Sequence, residues 1–386
     1  MKILVNATPL LAPWTGIGQY IHNLFTAIHR VDSVDLHMAY GMKVVKGYIQ
    51  PPSAGPTHSL WLRQLALKAL PNPRATKRLV EELMFRYQTR HGLRGAIYHE
   101  PNYLPMKFDG PLVLTICDMS CFDHPETHPK DRVHLMDQGM PSAIERADHI
   151  LVISQDAKMS LQRWFGVSDE KITVTYLAAN PSFKPIEHAA LVNPLAGLGL
   201  IPKGYVLTVG TLEPRKNLST LFAAYAKLPK PLRQRFPLVV AGMKGWKYDD
   251  LMGEAQALVN DGELRFLGYV GDAQMPALYA GAAAFCYPSR YEGFGLPALE
   301  AMAAGVPVLT SNATSLPEVV GEAGLMVDPD DLGSMSDSLA LLLEDSQMAE
   351  RIGQLGHARA RTFSWDRCAQ ETLDVYRQVA RARGLQ

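Results

Sequence analysis

At 386 residues the chain exceeds what one typical core supports, so two domains are expected. A hydrophobic fraction of 47% and a charged fraction of 20% describe an ordinary soluble globular protein, and 38 Lys plus Arg against 38 Asp plus Glu leave no net field to favour nucleic acid as the main partner. Cys117, Cys121, Cys286 and Cys368 form no zinc-like cluster and read as reduced, buried thiols of a cytoplasmic protein.

No apolar run approaches the ~18 residues that cross a bilayer. The opening M-K-I-L-V-N has no convincing cleavage site and reads as a first buried strand over 2–6. The protein is therefore expected in the cytoplasm, at most attached to the inner face of the cell membrane.

Thr15-Gly16-Ile17-Gly18 follows that strand, and Ile17, Tyr20, Ile21, Leu24 and Ile28 then recur at helical spacing. Strand, glycine loop and helix open a Rossmann-like unit. Gly16 and Gly18 lack the third glycine of a dinucleotide fingerprint, and no acid clearly ends a second strand, which discounts NAD. The two glycines either let a phosphate or sugar approach the helix or serve a tight turn.

Residues 61–94 alternate apolar and basic side chains: Trp61, Leu62, Leu65, Leu67 and Leu70 among Arg63, Lys68, Arg74, Lys77, Arg78, Arg86, Arg90 and Arg94, with Glu81 and Glu82 the only acids. That mixture suits an anionic membrane surface or a pyrophosphate-bearing lipid. A solvated helix pair on the outside of a domain explains it equally.

Residues 96–105 and 112–120 read as strand ends running into loops. Ligands of open parallel sheets bind at the carboxyl ends of strands, which makes Tyr98, His99, Asn102, Cys117 and Asp118 candidates to line a cleft. A helix near 131–147, a strand over 149–154, a helix over 156–165 and a strand over 171–177 complete a first domain, 1–185. Residues 186–204, rich in Pro, Gly, Ala and Leu without periodicity, read as a linker.

The second domain, 205–364, opens with Y-V-L-T-V-G-T-L-E-P-R-K-N-L. Its strand ends at Gly210, and Arg215 and Lys216 lie in the following loop, placed to clamp a diphosphate. Strand and helix then alternate: a strand over 237–241, the loop with Lys244, a helix to about 260, strands over 264–267 and 283–287. Asp328-Pro329-Asp330-Asp331 reads as a turn capping a helix rather than a metal site. From Trp365 onward, Leu373, Tyr376 and Val379 have helical spacing and need a surface to pack on.

The chain is organised around S-R-Y-E-G-F-G-L-P-A-L-E-A-M-A-A-G, residues 289–305. Pro297 suits the first turn of a short helix that Gly305 and Pro307 stop. Gly293 and Gly295 keep the preceding loop free of Cβ atoms, so backbone amides can approach a ligand, and a helix N-terminus favours an anion such as phosphate. Glu292 and Glu300 are costly beside a phosphate unless they bind something else, and a carboxylate accepts two hydrogen bonds from a sugar diol.

In combination these stretches resemble a retaining glycosyltransferase of family 4. The match rests on Glu292 and Glu300 within E-G-F-G-L-P-A-L-E-A-M-A-A-G-V-P-V, on V-G-T-L-E-P-R-K-N, V-V-A-G-M-K-G-W, L-G-Y-V and S-L-P-E-V, and on T-G-I-G, H-E-P-N-Y-L-P and K-I-T-V-T-Y in the first half. The resemblance implies an α/β protein of GT-B architecture: two Rossmann-like domains facing across a cleft, with a final helix, 365–386, crossing back to the first domain. It implies that the second domain binds a nucleotide-sugar donor and the first an acceptor. Arg215 and Lys216 match the diphosphate contacts, Glu300 the ribose carboxylate, and Glu292 with the amides of Gly293, Phe294, Gly295 and Leu296 the group holding the donor sugar. Gly16, Gly18, Gly210 and Lys244 complete the expected donor contacts; His99, Asn102 and Cys117 line the acceptor and sugar pocket, and Asp118 joins Glu292, Arg215 and Lys216 as the expected catalytic residues.

Many relatives carry a His before that aspartate, where this chain has Cys117. The replacement suggests a less polar pocket and a 6-deoxyhexose such as rhamnose as an alternative to mannose, with GDP as the carrier nucleotide. The expected function is retaining hexosyl transfer to a growing bacterial surface polysaccharide on a lipid carrier, without metal or other cofactor and with a peripheral membrane contact through 61–94. A UDP- or ADP-sugar enzyme with a soluble oligosaccharide acceptor, and a non-catalytic nucleotide-sugar-binding protein, are the alternatives. No side chain stands out as a covalent nucleophile, so a front-face mechanism is expected.

Overall fold

The structure, a computed structural model, describes residues 1–11, 16–41, 43–48, 73–245 and 248–385. Two compact units emerge from its contacts. One comprises Met1–Asp123, Pro129–Leu177 and Trp365–Gln386; the other comprises His124–His128 and Ala178–Ser364.

The first unit carries strands β1 (Lys2–Asn6), β2 (Asp35–Tyr40), β3 (Lys43–Lys46), β4 (Ile97–Glu100), β5 (Leu112–Ile116), β6 (His149–Val152) and β7 (Ile172–Val174), in the order β3-β2-β1-β4-β5-β6-β7. All pairs are parallel except β2 with β3. Every residue of β4, β5 and β6 is buried, as expected of strands covered on both faces; β5 and most of β6 read as apolar runs, while β4 also buries His99 and Glu100. Lys43 and Lys46 bracket the edge strand and discourage further pairing there. Strand order reverses between β1 and β4. There the Asn6 amide donates to Glu100 Oε2 at 2.8 Å, while Tyr98 Oη and the Asn102 amide donate to the same carboxylate at 2.7 and 3.0 Å. Glu100 is thus a buried acid whose charge is met by hydrogen bonds across the switch point.

Helix Trp365–Ala382 belongs to this unit and packs along helix Gly16–Val31. Trp365, Leu373, Tyr376 and Val379 form its buried face, and Arg377 pairs with Asp32 at 2.7 Å. The Tyr376 hydroxyl meets His99 Nδ1 at 2.5 Å, and His99 Nε2 meets Thr115 Oγ1 at 2.7 Å. His99 is 0% exposed. This corrects its assignment to the acceptor pocket: both ring nitrogens are spent pinning the final helix to β4 and β5. Of the basic segment 61–94, residues 61–72 lie outside the described residues; the remainder is one continuous helix, Pro73–Gly92.

The second unit carries β8 (Val206–Val209), β9 (Leu238–Ala241), β10 (Leu264–Gly268), β11 (Ala284–Tyr287), β12 (Val308–Ser311) and β13 (Leu325–Val327), all parallel, in the order β10-β9-β8-β11-β12-β13. This is the doubly wound Rossmann order. Gly242 is dictated by close approach, since a Cβ there would lie 1.9 Å from the Gly210 carbonyl oxygen.

The stretch 186–204 is not the irregular linker that composition suggests. It contains helix His188–Ala196, whose Leu191 and Leu195, four residues apart, are buried against helix Met275–Ala280. Residues 178–185 also pack in this unit, where the Phe183 ring meets Tyr279 edge-on at 5.1 Å. Asp331 caps helix Leu332–Glu344 by accepting from the Ser334 amide at 2.9 Å, as the capping-turn reading requires.

Burial lowers the His99 pKa from 6.5 to about 3, so the folded unit holds it neutral. The unfolded chain protonates this ring as pH falls through 6.5; folded stability is then lost with a slope approaching ~1.4 kcal/mol per pH unit until the folded pKa is reached. Urea unfolding between pH 7.5 and 5 is expected to show this loss, and His99→Gln to flatten it. Equal slopes in the two proteins would refute the assignment.

Candidate active site

The carboxyl ends of β8 and β11 flank the point where the second sheet reverses its strand order, and the loops leaving them carry Arg215, Lys216 and Glu292. After β8 the chain forms the short turn Pro214–Lys216, which Asn217 closes in the left-handed region at φ 56°. The Asn217 amide donates to the carbonyls of Pro288 at 3.1 Å and Pro329 at 2.7 Å, and the Arg290 N–H donates to the Arg215 carbonyl at 2.8 Å. These bonds lace the loops after β8 and β11 together.

Held this way, the side chains form one ion cluster in which Lys216 and Glu292 are buried and Arg215 and Glu213 about a fifth exposed. Lys216 Nζ donates to Glu292 Oε1 at 2.6 Å and to Tyr287 Oη at 2.6 Å. Arg215 Nη1 donates to Glu292 Oε2 and to the Tyr291 carbonyl, at 3.0 and 3.1 Å, and its Nη2 reaches Glu213 Oε1 at 3.1 Å. Two cations thus meet two carboxylates. Burial alone would raise the Glu292 pKa, but Lys216 and Arg215 outweigh it and hold the acid at about 2. Burial and the neighbouring Arg215 lower the Lys216 pKa against the opposing pull of Glu292. Two fixed cations in a low-dielectric pocket can neutralise an incoming anion strongly, because water does not screen them.

The glycine turn follows. Gly295 sits at φ 98° as the N-cap of helix Leu296–Ala303, and a Cβ on it would lie 2.6 Å from Leu316 Cδ2. The N–H groups of Ala298 and Leu299 close back on the Gly295 carbonyl. Phe294 is buried edge-on against Phe363 at 5.8 Å, so its ring anchors the turn and only its backbone is left for a donor. Thr314, another left-handed residue at φ 50°, accepts the Glu292 N–H at 3.0 Å through Oγ1. A β-branched residue with positive φ is strained, and such strain concentrates at functional sites.

Glu300 stands one turn into the helix. Burial raises its pKa to about 8, with Asp272 adding to the shift, and the buried Tyr279 hydroxyl faces it. Near neutral pH the two acids of the motif are therefore in opposite protonation states. Gly210 lies against the Lys216 stem, and Lys244 is exposed in the loop after β9. Among the described residues, no three His, Cys, Asp or Glu side chains are arranged to hold a metal ion.

The glycosyl transferases group 1 family model matches residues 201–359, the span that contains this cluster. O-antigen chain mannosyltransferase B of Escherichia coli is 37% identical over 388 residues, covering 98% of this chain and all of that protein. The chain belongs to the group 1 glycosyltransferases. The serotype-specific mannosyltransferase WbdA of Escherichia coli is 31% identical over 238 residues, 61% of this chain and 29% of that one. Sucrose-phosphate synthase from Thermosynechococcus elongatus superposes with a TM-score of 0.75 at 21% identity, over 99% of both chains, and so shares the fold.

The remaining glycosyltransferase residues predicted for a site lie in the first unit. Asp118 and Asn102 are partly exposed beyond the carboxyl ends of β5 and β4. Asp118 Oδ1 accepts from the N–H and hydroxyl of Ser120, at 3.0 and 2.6 Å, which makes it a local cap. Cys117 is 8% exposed, its thiol directed to the Pro101 carbonyl at 3.9 Å, and burial pushes the thiol well above its ordinary pKa. Among the described residues its side chain is thus enclosed, which corrects its reading as a pocket-lining group. Gly16 and Gly18 fall within the first turn of helix Gly16–Val31, where, among the described residues, a Cβ on Gly16 would meet no atom within 4 Å.

Sequence reasoning missed Glu213, Tyr287 and Thr314. Glu213 stands two residues from Arg215 and was within reach of inspection; the other two are joined to the cluster only by the fold.

Gly295→Ala combines a left-handed φ with a close contact and is expected to cost ~2 kcal/mol of stability. Gly16→Ala is expected to stay within ~0.5 kcal/mol of the parent. Urea unfolding of both variants checks this, and a large loss for Gly16→Ala would restore the tight-turn explanation.

Proposed function

We propose that the chain transfers mannose from GDP-mannose, with retention, to a growing surface polysaccharide on a lipid carrier. The observation that carries this reading is the Arg215–Lys216–Glu292 cluster at the switch point of the second sheet. The sugar is supported by the mannosyltransferase that the chain resembles over 98% of its length. The buried thiol of Cys117 offers no separate support for a 6-deoxyhexose.

Arg215 and Lys216 take the diphosphate, the side of the donor on which negative charge grows as the glycosidic bond breaks. Fixed donors aimed at developing charge contribute most where water is excluded. As the diphosphate engages the cations, Glu292 exchanges their hydrogen bonds for those of the sugar hydroxyls, while the amides of Gly293 to Leu296 hold the donor. Glu300 receives the ribose diol. The acceptor hydroxyl attacks C1 on the face the diphosphate leaves. The new C1–O bond forms as the C1–O(phosphate) bond breaks, and the acceptor's proton passes to the departing phosphate oxygen. The route needs neither a covalent enzyme intermediate nor a metal. A peripheral membrane contact through 61–94 would bring the enzyme to a lipid-borne acceptor.

A thermal-shift panel of GDP, UDP, ADP and dTDP tests the donor. GDP is expected to raise the unfolding midpoint selectively, because a ligand that binds only the native state adds its binding energy to stability. GDP-mannose should then yield an α-linked product by NMR, and Glu292→Gln should lower kcat by about 10²–10³-fold. A selective response to UDP, a β-linked product or an undiminished Glu292→Gln rate would each overturn the corresponding step.

Glu300 gives a pH test. A diol donating two hydrogen bonds favours the ionised carboxylate, so binding must first remove the proton that burial stabilises. GDP affinity is accordingly expected to rise several-fold from pH 7 to 9, and Glu300→Gln to bind more weakly without that rise. Calorimetric titration showing the same pH dependence in both proteins would reject the ribose assignment.

A further inference from the structure

Helix Pro73–Gly92 leaves an apolar face open: Leu83 is 56% and Tyr87 72% exposed, and Val80 and Met84 are exposed beside them. Arg86, Arg90 and Arg94 follow at intervals of four residues, all exposed. Arg86 and Arg90, both on the helix, repel at that spacing, and Arg94 stands just beyond its end. The nearby ion pairing among the described residues joins Lys107 to Glu82 at 3.7 Å and does not include the three guanidinium groups. The loop from β4 back to β5 brings Lys107 and Phe108 to the same face, and together these side chains enclose a cavity of about 770 Å³.

The cavity lies toward the amino ends of β4 and β5, since Arg94 and Gly95 precede β4, and Asp109 and Gly110 precede β5. Asn102 and Asp118 follow those strands at their carboxyl ends, roughly 13–17 Å away along strands of four and five residues. The helix dipole accounts for a cation in the last turn, at Arg90, but not for Arg94, which stands in the turn beyond the helix end. It accounts neither for the exposed Leu83–Tyr87 row nor for Lys107 and Phe108 arriving from another element.

We propose that this cavity binds the phosphate headgroup of an anionic membrane lipid, with Leu83 and Tyr87 seated at the acyl boundary. The proposal deepens the membrane contact proposed above and rests on that reading. With Lys107 paired to Glu82, the three guanidinium groups against Asp109 leave the lining net positive, the sign a phosphate needs. A free phosphate would satisfy the cations yet leave Leu83, Met84 and Tyr87 in water, whereas an interfacial lipid satisfies both. The group held here anchors the enzyme and stands apart from the edge where Asn102 and Asp118 lie.

Flotation of the full chain with phosphatidylcholine vesicles, with and without phosphatidylglycerol, tests this in the absence of nucleotide, so its failure is separable from failure of the GDP panel. Binding is expected only with phosphatidylglycerol. It should fall on the order of a hundredfold in Arg86→Gln/Arg90→Gln/Arg94→Gln and also fall in Leu83→Ser/Tyr87→Ser, with unfolding midpoints confirming the fold. If the triple variant is unstable, the exposed Arg90→Gln alone should lose about fivefold. Undiminished binding by the arginine variants would overturn the proposal. So would retention of vesicle binding by Leu83→Ser/Tyr87→Ser together with competition by inorganic phosphate, which would mark a site for a free anion.

Discussion

Two cations held against a buried carboxylate are the constraint on which the second unit depends. Removing Arg215, Lys216 and Glu292 from water carries a desolvation cost that their mutual attraction offsets only when the geometry is good. That geometry comes from outside the cluster. Asn217 ties three loops together, Thr314 fixes the Glu292 backbone, and Tyr287 gives the Lys216 ammonium a second acceptor. Two of these supports, Asn217 and Thr314, are non-glycine residues with positive φ. Hydrophobic replacements of buried ion pairs are often as stable or more so, which points to function rather than stability as the reason for the cluster.

The motif's two acids show how one short segment acquires two chemistries. Glu292 lies in the loop, where Lys216 and Arg215 reach it and keep it ionised. Glu300 lies one helical turn later, beyond those cations, where burial and Asp272 favour its protonated form. Environments that push paired acids apart commonly separate their roles. On the proposed reading, the ionised acid trades cations for sugar hydroxyls and the neutral acid yields its proton on meeting the ribose.

Much of this was legible in the sequence because parallel strands buried on both faces are continuous apolar runs, and the loops at their ends carry glycines and charges. The segment 289–305 and the Arg215–Lys216 pair stood out for that reason. Partnership was not legible. Spacing placed His99 after a strand, but nothing local revealed that Tyr376, far along the chain, would close over it. Cys117 likewise ended a strand whose last turn faces inward. In 186–204 the proline and glycine content concealed a helix that exists because Leu191 and Leu195 find a surface on another helix. Tertiary burial, rather than local propensity, decided each of these.

The first unit shows a further consequence of parallel strands. Every strand of a parallel run points its carboxyl end the same way, so the two edges of the sheet inherit different loops. At one edge of β4 and β5 stand Asn102 and Asp118, and the Glu100 carboxylate is held by hydrogen bonds from Asn6, Tyr98 and Asn102. The other edge gathers Arg86, Arg90, Arg94 and Lys107 around exposed aromatic and aliphatic side chains. Chemistry that needs a rigid, hydrogen-bonded floor suits the first edge, where the strand order reverses. Attachment to a fluid anionic surface needs no such precision, and a helix end with flexible guanidinium groups suffices. On the proposed reading, the same chain direction that separates the edges permits anchoring and glycosyl transfer to be altered independently.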